Sequence, residues 1–143
     1  MSSYSQPLAI IGISCRVPGA NGPAEYWDLI RSARDATGEL PEEIIDRELY
    51  FHPEKGVLGK IYSYVGGLVD RLPFDNSKCR LPENSLDDYD PAHLTTCEVA
   101  SDALRDAGLD PFNLPTKNVG VYIGHTGGTN KAGDIVFSIY IEQ

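Results

Sequence analysis

The stretch from Asp90 to Gly124 constrains this chain more than any other, because it reads as a capped helix running straight into a buried strand. Pro91 suits the first helical position, where its missing N–H has no helical partner to lose. Asp90 ahead of it is placed to accept from the free N–H groups of the first turn. Leu94, Cys97, Ala100, Leu104 and Ala107 then recur at spacings of three and four, which predicts a helix over 91–107 with an apolar stripe. Gly108 follows as a left-handed stop with Leu109 behind it, and Pro111 and Pro115 forbid continuation. Val119-Gly-Val-Tyr-Ile-Gly124 is short, apolar and β-prone. A helix feeding a strand that is apolar on both faces predicts an α/β layer with the strand inside.

Upstream, Leu8-Ala-Ile-Ile-Gly-Ile13 has the same buried-strand character, and Ser14 to Ala20 leaves it as a loop. Gly22 and Pro23 open a second helix, expected over 23–36, with Tyr26, Trp27, Ile30 and Ala33 as its stripe and Gly38 as its end. Pro41 to Leu49 reads as a short helix led by Glu42 and Glu43, where a helix dipole favours acids. Lys60 to Val65 alternates like a strand, Gly66-Gly67 is a turn or a close-packed backbone site, and Leu68 to Leu72 is the expected return of a small hairpin. Ser77 to Asp88 is polar and reads as loop, Thr126 to Asn130 likewise, and Ile135 to Ile141 is apolar with helix and strand both open. The expected sheet therefore contains strands near 8–13 and 119–123, covered by the two helices.

Composition narrows the partners. The net charge of −9 argues against nucleic acid, whose phosphates this surface would repel. No run approaches the roughly 18 apolar residues of a membrane span, and Met1 to Pro7 is polar and uncharged, unlike a signal or transit peptide. Three widely spaced cysteines do not make a disulfide framework, so reduced thiols in the cytoplasm are expected.

Several stretches resemble one family. Ala9-Ile-Ile-Gly-Ile-Ser-Cys-Arg-Val-Pro-Gly-Ala20 is similar to the opening of polyketide-synthase β-ketoacyl synthase (ketosynthase) domains, and Glu25-Tyr-Trp-Asp-Leu-Ile30 resembles their first helix. Gly59-Lys60, Tyr62-Ser63, Gly66-Gly67 and Phe74-Asp75 resemble the family's next run; Asp90-Pro91, Glu98, Ala100, Ala103-Leu104 and Asp106 to Pro111 resemble its long helix and exit. Val119 to Gly124 resembles the strand after it. Two places depart: Lys78-Cys79-Arg80-Leu81 stands where the family has an apolar Phe-Phe-Gly-Ile segment, and Tyr89 to Leu94 replaces Met-Asp-Pro-Gln-Gln-Arg.

The resemblance implies an incomplete N-terminal half of a thiolase-like α/β fold over residues 1–143, ending before the nucleophile turn. The family's chemistry is acyl transfer to a thiolate, decarboxylation of an extender unit and carbon–carbon bond formation. It needs a nucleophilic cysteine in a Cys-Ser-Ser turn and two histidines in glycine-flanked motifs, to supply an activated thiolate and to stabilise developing negative charge. None of these motifs occurs here. The resemblance thus implies a portion of an acyltransferase that is inactive alone, with no catalytic, cofactor or metal residue of its own. Its implied partners are the rest of the ketosynthase domain, an acyl carrier protein bearing phosphopantetheine, and a second copy in a homodimer. A non-catalytic scaffold or dimerisation module built on the same half-fold stays open, because Ile135, Val136, Phe137, Ile139, Tyr140 and Ile141 form an apolar run that invites association.

The individual candidates have plain readings beside the functional ones. Cys15 and Cys97 are expected to be structural, Cys97 on its helix's apolar stripe, whereas Cys79 in a polar loop leaves a reactive thiol open. His52, His93 and His125 share no metal-ligand spacing with each other or with the cysteines. His93 is expected to face solvent, and His125, at the end of a strand, is the best placed of the three for a small ligand. Gly124-His-Thr-Gly-Gly-Thr-Asn-Lys131 lacks the Gly-Lys-Ser/Thr ending of a phosphate loop. Glu42-Glu43 and Asp87-Asp88 read as solvated charges rather than an acid/base pair.

Overall fold

A computed structural model of the chain describes residues 7–124. The elements in order are α1 (Pro23–Arg31), β1 (Gly38–Glu39), α2 (Arg47–Tyr50), β2 (Val65–Gly66), 3-10 turns at Asn76–Lys78 and Glu83–Asp88, and α3 (Pro91–Asp106). They fall into two compact units, one spanning Cys15–Leu72 and the other combining Met1–Ser14 with Pro73–Gln143.

The Cys15–Leu72 unit opens with a tight turn at Pro18-Gly19. Val17 N–H donates to Ala20 O at 2.9 Å and Ala20 N–H returns to Val17 O at 3.0 Å, with Gly19 at φ 76°. Proline then glycine is what such a turn needs, since proline presets the first corner and only glycine takes the second without strain. α1 follows, with Pro23 in its first turn and Glu25 reaching back to accept from Asn21 N–H at 2.8 Å. It is shorter than the 23–36 expected, and Gly38 does not end it. Ala33, at φ 50°, donates to Ile30 O at 3.0 Å while Arg34 N–H donates to Leu29 O at 3.3 Å, closing a Schellman motif on an alanine. The stripe also differs, because Leu29 is the buried residue of α1 and Tyr26, Trp27 and Ile30 remain exposed.

The expected hairpin between 60–65 and 68–72 does not form. β2 pairs instead with β1, antiparallel, with Gly38 opposite Gly66 and Glu39 opposite Val65. Gly66-Gly67 is the close-packed site anticipated from sequence: a methyl group at Gly67 would sit 2.7 Å from Pro18 Cγ, and one at Gly66 would sit 3.1 Å from Leu40 Cδ2. In place of the predicted helix over 41–49 there is the single turn α2, capped by Asp46, whose carboxylate accepts from Leu49 N–H at 2.8 Å.

α3 bears out the organising prediction at both ends. Asp90 accepts from Ala92 N–H at 2.8 Å. Gly108, at φ 72°, donates to Arg105 O at 2.9 Å, and Leu109 N–H donates to Leu104 O at 2.9 Å. Its buried residues, however, are Glu98 and Ser101 rather than Cys97, which is exposed. The segment before it, expected as loop, winds into the two 3-10 turns.

The predicted central strands at 8–13 and 119–123 carry no ladder, and the only sheet among the described residues is β1–β2. Leu8 and Tyr122 are both 97% exposed. A segment apolar on both faces becomes a strand only when flanking strands satisfy its N–H and C=O groups, and the described residues supply none. Segment 8–13 does meet α3. Ile13 N–H donates to Asp106 Oδ2 at 2.9 Å, and a Cβ on Gly12 would come within 2.2 Å of Ala103 O, so glycine lets this backbone touch the helix.

The two Schellman caps predict opposite responses to the same exchange. Ala33→Gly should stabilise the chain by about 0.5–1 kcal/mol, because alanine is strained in the left-handed region. Gly108→Ala should cost about 1 kcal/mol. Urea unfolding of the two variants checks both signs.

Candidate functional site

The most developed polar constellation lies where Phe74 to Leu81 docks on α3. Glu98 is 3% exposed, and its Oε1 accepts from Asp75 N–H at 3.0 Å. The Asp75 carboxylate caps the 3-10 turn, accepting from Ser77 Oγ at 2.6 Å and Ser77 N–H at 3.0 Å. Asn76 closes the loop from within: its amide donates to Leu81 O at 2.9 Å and its carbonyl accepts from Leu81 N–H at 2.8 Å. That double clamp holds Arg80 at φ 55°, and the Arg80 guanidinium lies 3.7 Å from the centre of the Phe112 ring. Lys78 Nζ reaches Asp102 Oδ2 at 2.7 Å, one helical turn beyond Glu98. The charged Lys78-Cys79-Arg80 run, which departs from the resembled apolar segment, therefore docks through charge-assisted and cation–π contacts.

A second constellation centres on Arg47. Its guanidinium bonds Glu39 Oε2 at 3.1 Å and Leu40 O at 2.8 Å, pairs with Glu42 at 3.5 Å, and sits 4.4 Å from the Tyr64 ring centre. Phe51 meets Tyr64 edge-on, with centroids 4.9 Å apart. Tied to that many neighbours, Arg47 organises the β1–β2 region and is not free to bind an anion.

The residues singled out in the sequence now have definite places. Cys15 and Cys79 are half-buried and Cys97 is exposed, which corrects the core role expected of Cys97. Burial, with Cys97 and Glu98 as negative neighbours, pushes the Cys79 thiol up to about 11. A catalytic thiolate needs the opposite shift. His52 Nδ1 accepts from Glu54 N–H at 3.1 Å, a turn contact, and His93 faces solvent in the first turn of α3 as expected. Glu42 serves Arg47, accepting from its N–H at 2.9 Å, and Asp87-Asp88 are exposed in the second 3-10 turn. Among the described residues no group of three or more His, Cys, Asp and Glu side chains is arranged for a metal. The loop around His125 and the apolar run 135–141 lie outside the described residues. A small open hollow at the end of α1 is lined by Asp28, Arg31, Ser32 and Arg34, but Arg31 pairs with Asp28 at 2.9 Å and Arg34 donates to Gly19 O at 3.3 Å.

Sequence reasoning missed Glu98 and Arg47 as organising residues. Glu98 had a signal, since it is one of the residues that resemble the family's long helix. Arg47 had none, because its four partners come together only in three dimensions.

What these elements define is a structural framework of α/β type: a helix with a polar buried seam, a docked loop, and exposed apolar segments. The profile of the β-ketoacyl synthase N-terminal domain matches residues 5–138. The chain is 37% identical over 123 residues to the phenolphthiocerol synthesis polyketide synthase type I Pks15/1 of Mycobacterium marinum, covering 84% of this chain and 6% of that protein. It is 33% identical over 121 residues to a polyunsaturated fatty acid synthase polypeptide of Thraustochytrium, covering 85% of this chain and 4% of that protein. Its structure is similar to the oxazolomycin ketosynthase domain OzmH KS7 of Streptomyces albus, with a TM-score of 0.59 and 28% identity over 68% of this chain and 17% of that one. The chain belongs to the β-ketoacyl synthase N-terminal domain family, and its fold class is that of the N-terminal part of a ketosynthase, as the resemblance implied.

Two outcomes follow for the α3 dock. Glu98→Ala should cost about 1–3 kcal/mol, the usual penalty for stranding a partly buried donor. Glu98→Gln keeps an acceptor for Asp75 N–H and should cost less, and urea midpoints separate the two. The Asp75 carboxyl is held below its ordinary value first by the Ser77 hydroxyl and then by the Ser77 N–H, and Asp35 by the N–H and hydroxyl of Thr37. Depressed folded values contribute stability above the unfolded pKa, so that contribution should be lost as pH falls below about 4. Acid titration followed by circular dichroism measures it, and the dependence should weaken in Ser77→Ala.

Proposed function

We propose that these 143 residues form the framework-building N-terminal portion of a polyketide-type ketosynthase domain, and that the groups making and breaking bonds belong to sequence outside them. The carrying observation is the family match over residues 5–138, in a stretch without the Cys-Ser-Ser turn or the two histidine motifs of condensation. The intact domain would accept an acyl group on a cysteine thiolate, decarboxylate an extender unit and join the two, on thioesters presented by an acyl carrier protein. Relatives named as polyketide and polyunsaturated fatty acid synthases support that reaction class.

The phosphopantetheine arm of a carrier protein belongs to this proposal as the carrier's group. The described residues do not fit it as a tenant: the hollow beside α1 is open and its arginines are committed elsewhere. Homodimerisation of the intact domain, a cytoplasmic setting and the absence of any catalytic residue in this stretch are parts of the same reading. None of the described helices is long and apolar enough to cross a membrane. The exposed apolar segments 8–13 and 119–123 are where the remaining strands of the domain would dock.

A condensation assay with acyl- and malonyl-loaded carrier proteins tests the reading. The 143-residue chain should give no β-ketoacyl product, and turnover by it alone would refute the proposal.

A further inference from the structure

Asn21-Gly22 is the one Asn-Gly pair of the sequence, and it stands immediately before α1. Such a pair can react with itself, because glycine puts no side chain in the way when its nitrogen approaches the asparagine amide. The other asparagines precede Ser77, Ser85, Leu114, Val119 and Lys131, whose side chains obstruct that approach. The structure leaves the reacting atoms accessible. Asn21 is exposed, Gly22 N–H has no acceptor among the described residues, and nothing lies within 4 Å of where a Gly22 side chain would begin. One contact stands against reaction: Asn21 Nδ2 donates to Asp70 Oδ2 at 3.0 Å. Together with the packing of Gly67 on Pro18, that bond holds the turn before α1 to the stretch 67–70.

We propose that Asn21 is a site of spontaneous deamidation, that Asp70 holds it in check, and that conversion cuts the tie between them irreversibly. Gly22 N–H gives its proton to hydroxide, and the nitrogen attacks Asn21 Cγ. A C–N bond forms and closes a succinimide ring, while Nδ2 departs as ammonia with a proton taken from water. Water then adds to either ring carbonyl and breaks the C–N bond at that carbon, which leaves aspartate or isoaspartate at position 21. The net change is hydrolysis of one amide to a carboxylate and ammonium, and nothing is oxidised or reduced.

Asp70 slows the first step in two ways. Its carboxylate fixes the amide that must turn toward Gly22 N, and its negative charge opposes the oxyanion that builds up on Asn21 Oδ1. Glu25, which accepts from Asn21 N–H at 2.8 Å, is a second acid of the same sign. After conversion the donor is gone. A carboxylate at position 21 then faces Asp70 and Glu25, so repulsion replaces the hydrogen bond. In isoaspartate the main chain also gains one carbon just ahead of Gly22, the N-cap of α1, which lengthens the span that Glu25 bridges.

The test incubates the full chain in mildly alkaline buffer, folded and in urea. Peptide mass mapping follows conversion at each asparagine, and enzymatic methylation marks isoaspartate. Asn21 should convert before any other asparagine, and more slowly in the folded chain than in urea. Asp70→Ala should raise the folded rate at Asn21 at least about threefold, the rate equivalent of losing a surface hydrogen bond, and leave the rate in urea unchanged. Asp70→Asn, which keeps an acceptor and removes the charge, should raise the folded rate by less, and it carries the comparison if Asp70→Ala unfolds. Asn21→Asp should lower the urea midpoint, and adding Asp70→Asn should recover most of that loss. Equal folded rates in the unaltered chain and the Asp70 variants would overturn the proposal. So would earlier conversion of another asparagine, or an unaltered urea midpoint in Asn21→Asp.

Discussion

A buried carboxylate on a helix accepting one backbone N–H from a distant loop is the contact on which the α3 unit depends. Glu98 is nearly inaccessible, and its bond to Asp75 N–H fixes where the chain re-enters after Phe74. Leaving such a carboxylate without partners inside a protein is expensive. Once Asp75 is placed, its own carboxylate winds the next residues into a 3-10 turn, and Lys78 lands on Asp102 a helical turn further on. Asn76 and Leu81 then close the loop. The result is a dock made almost entirely of polar contacts where a stripe of leucine, cysteine and alanine was expected.

The same economy governs the Cys15–Leu72 unit. There the organiser is a cation, Arg47, whose planar guanidinium reaches two acids, a carbonyl and an aromatic face at once. A lysine, with a compact charge and no fork, would not satisfy these partners together. Apolar burial is slight in comparison, with Ala20 and Leu29 the buried hydrophobic residues among those described. Local polar clamps hold the described framework, while much of its apolar surface faces outward.

Membership of the ketosynthase family makes sense of that imbalance. The chain spans 6% or less of the two synthases it resembles in sequence, and 17% of the solved ketosynthase chain. Leu8, Ile10, Val121 and Tyr122 are exposed strand-type residues without strand partners among the described residues. The charged Lys78-Cys79-Arg80 run changes how one loop is fastened to α3 and leaves the fold class unaltered.

What the sequence determined by itself is local. Asp90-Pro91 starts α3 and Gly108-Leu109 ends it, because capping needs only groups within four or five residues of each other. Family membership was legible too, since the matching motifs stand in order along the chain. Tertiary structure decided the rest. Periodicity put Cys97 inward, but a helix turns 100° per residue, and the docking of Asp75 and Lys78 selected the neighbouring stripe of Glu98, Ser101 and Asp102. Propensity made 8–13 and 119–123 strands, yet a strand exists only in a ladder, and no ladder partner is present among the described residues. In both cases the deciding partner is remote in sequence, or lies outside the described residues.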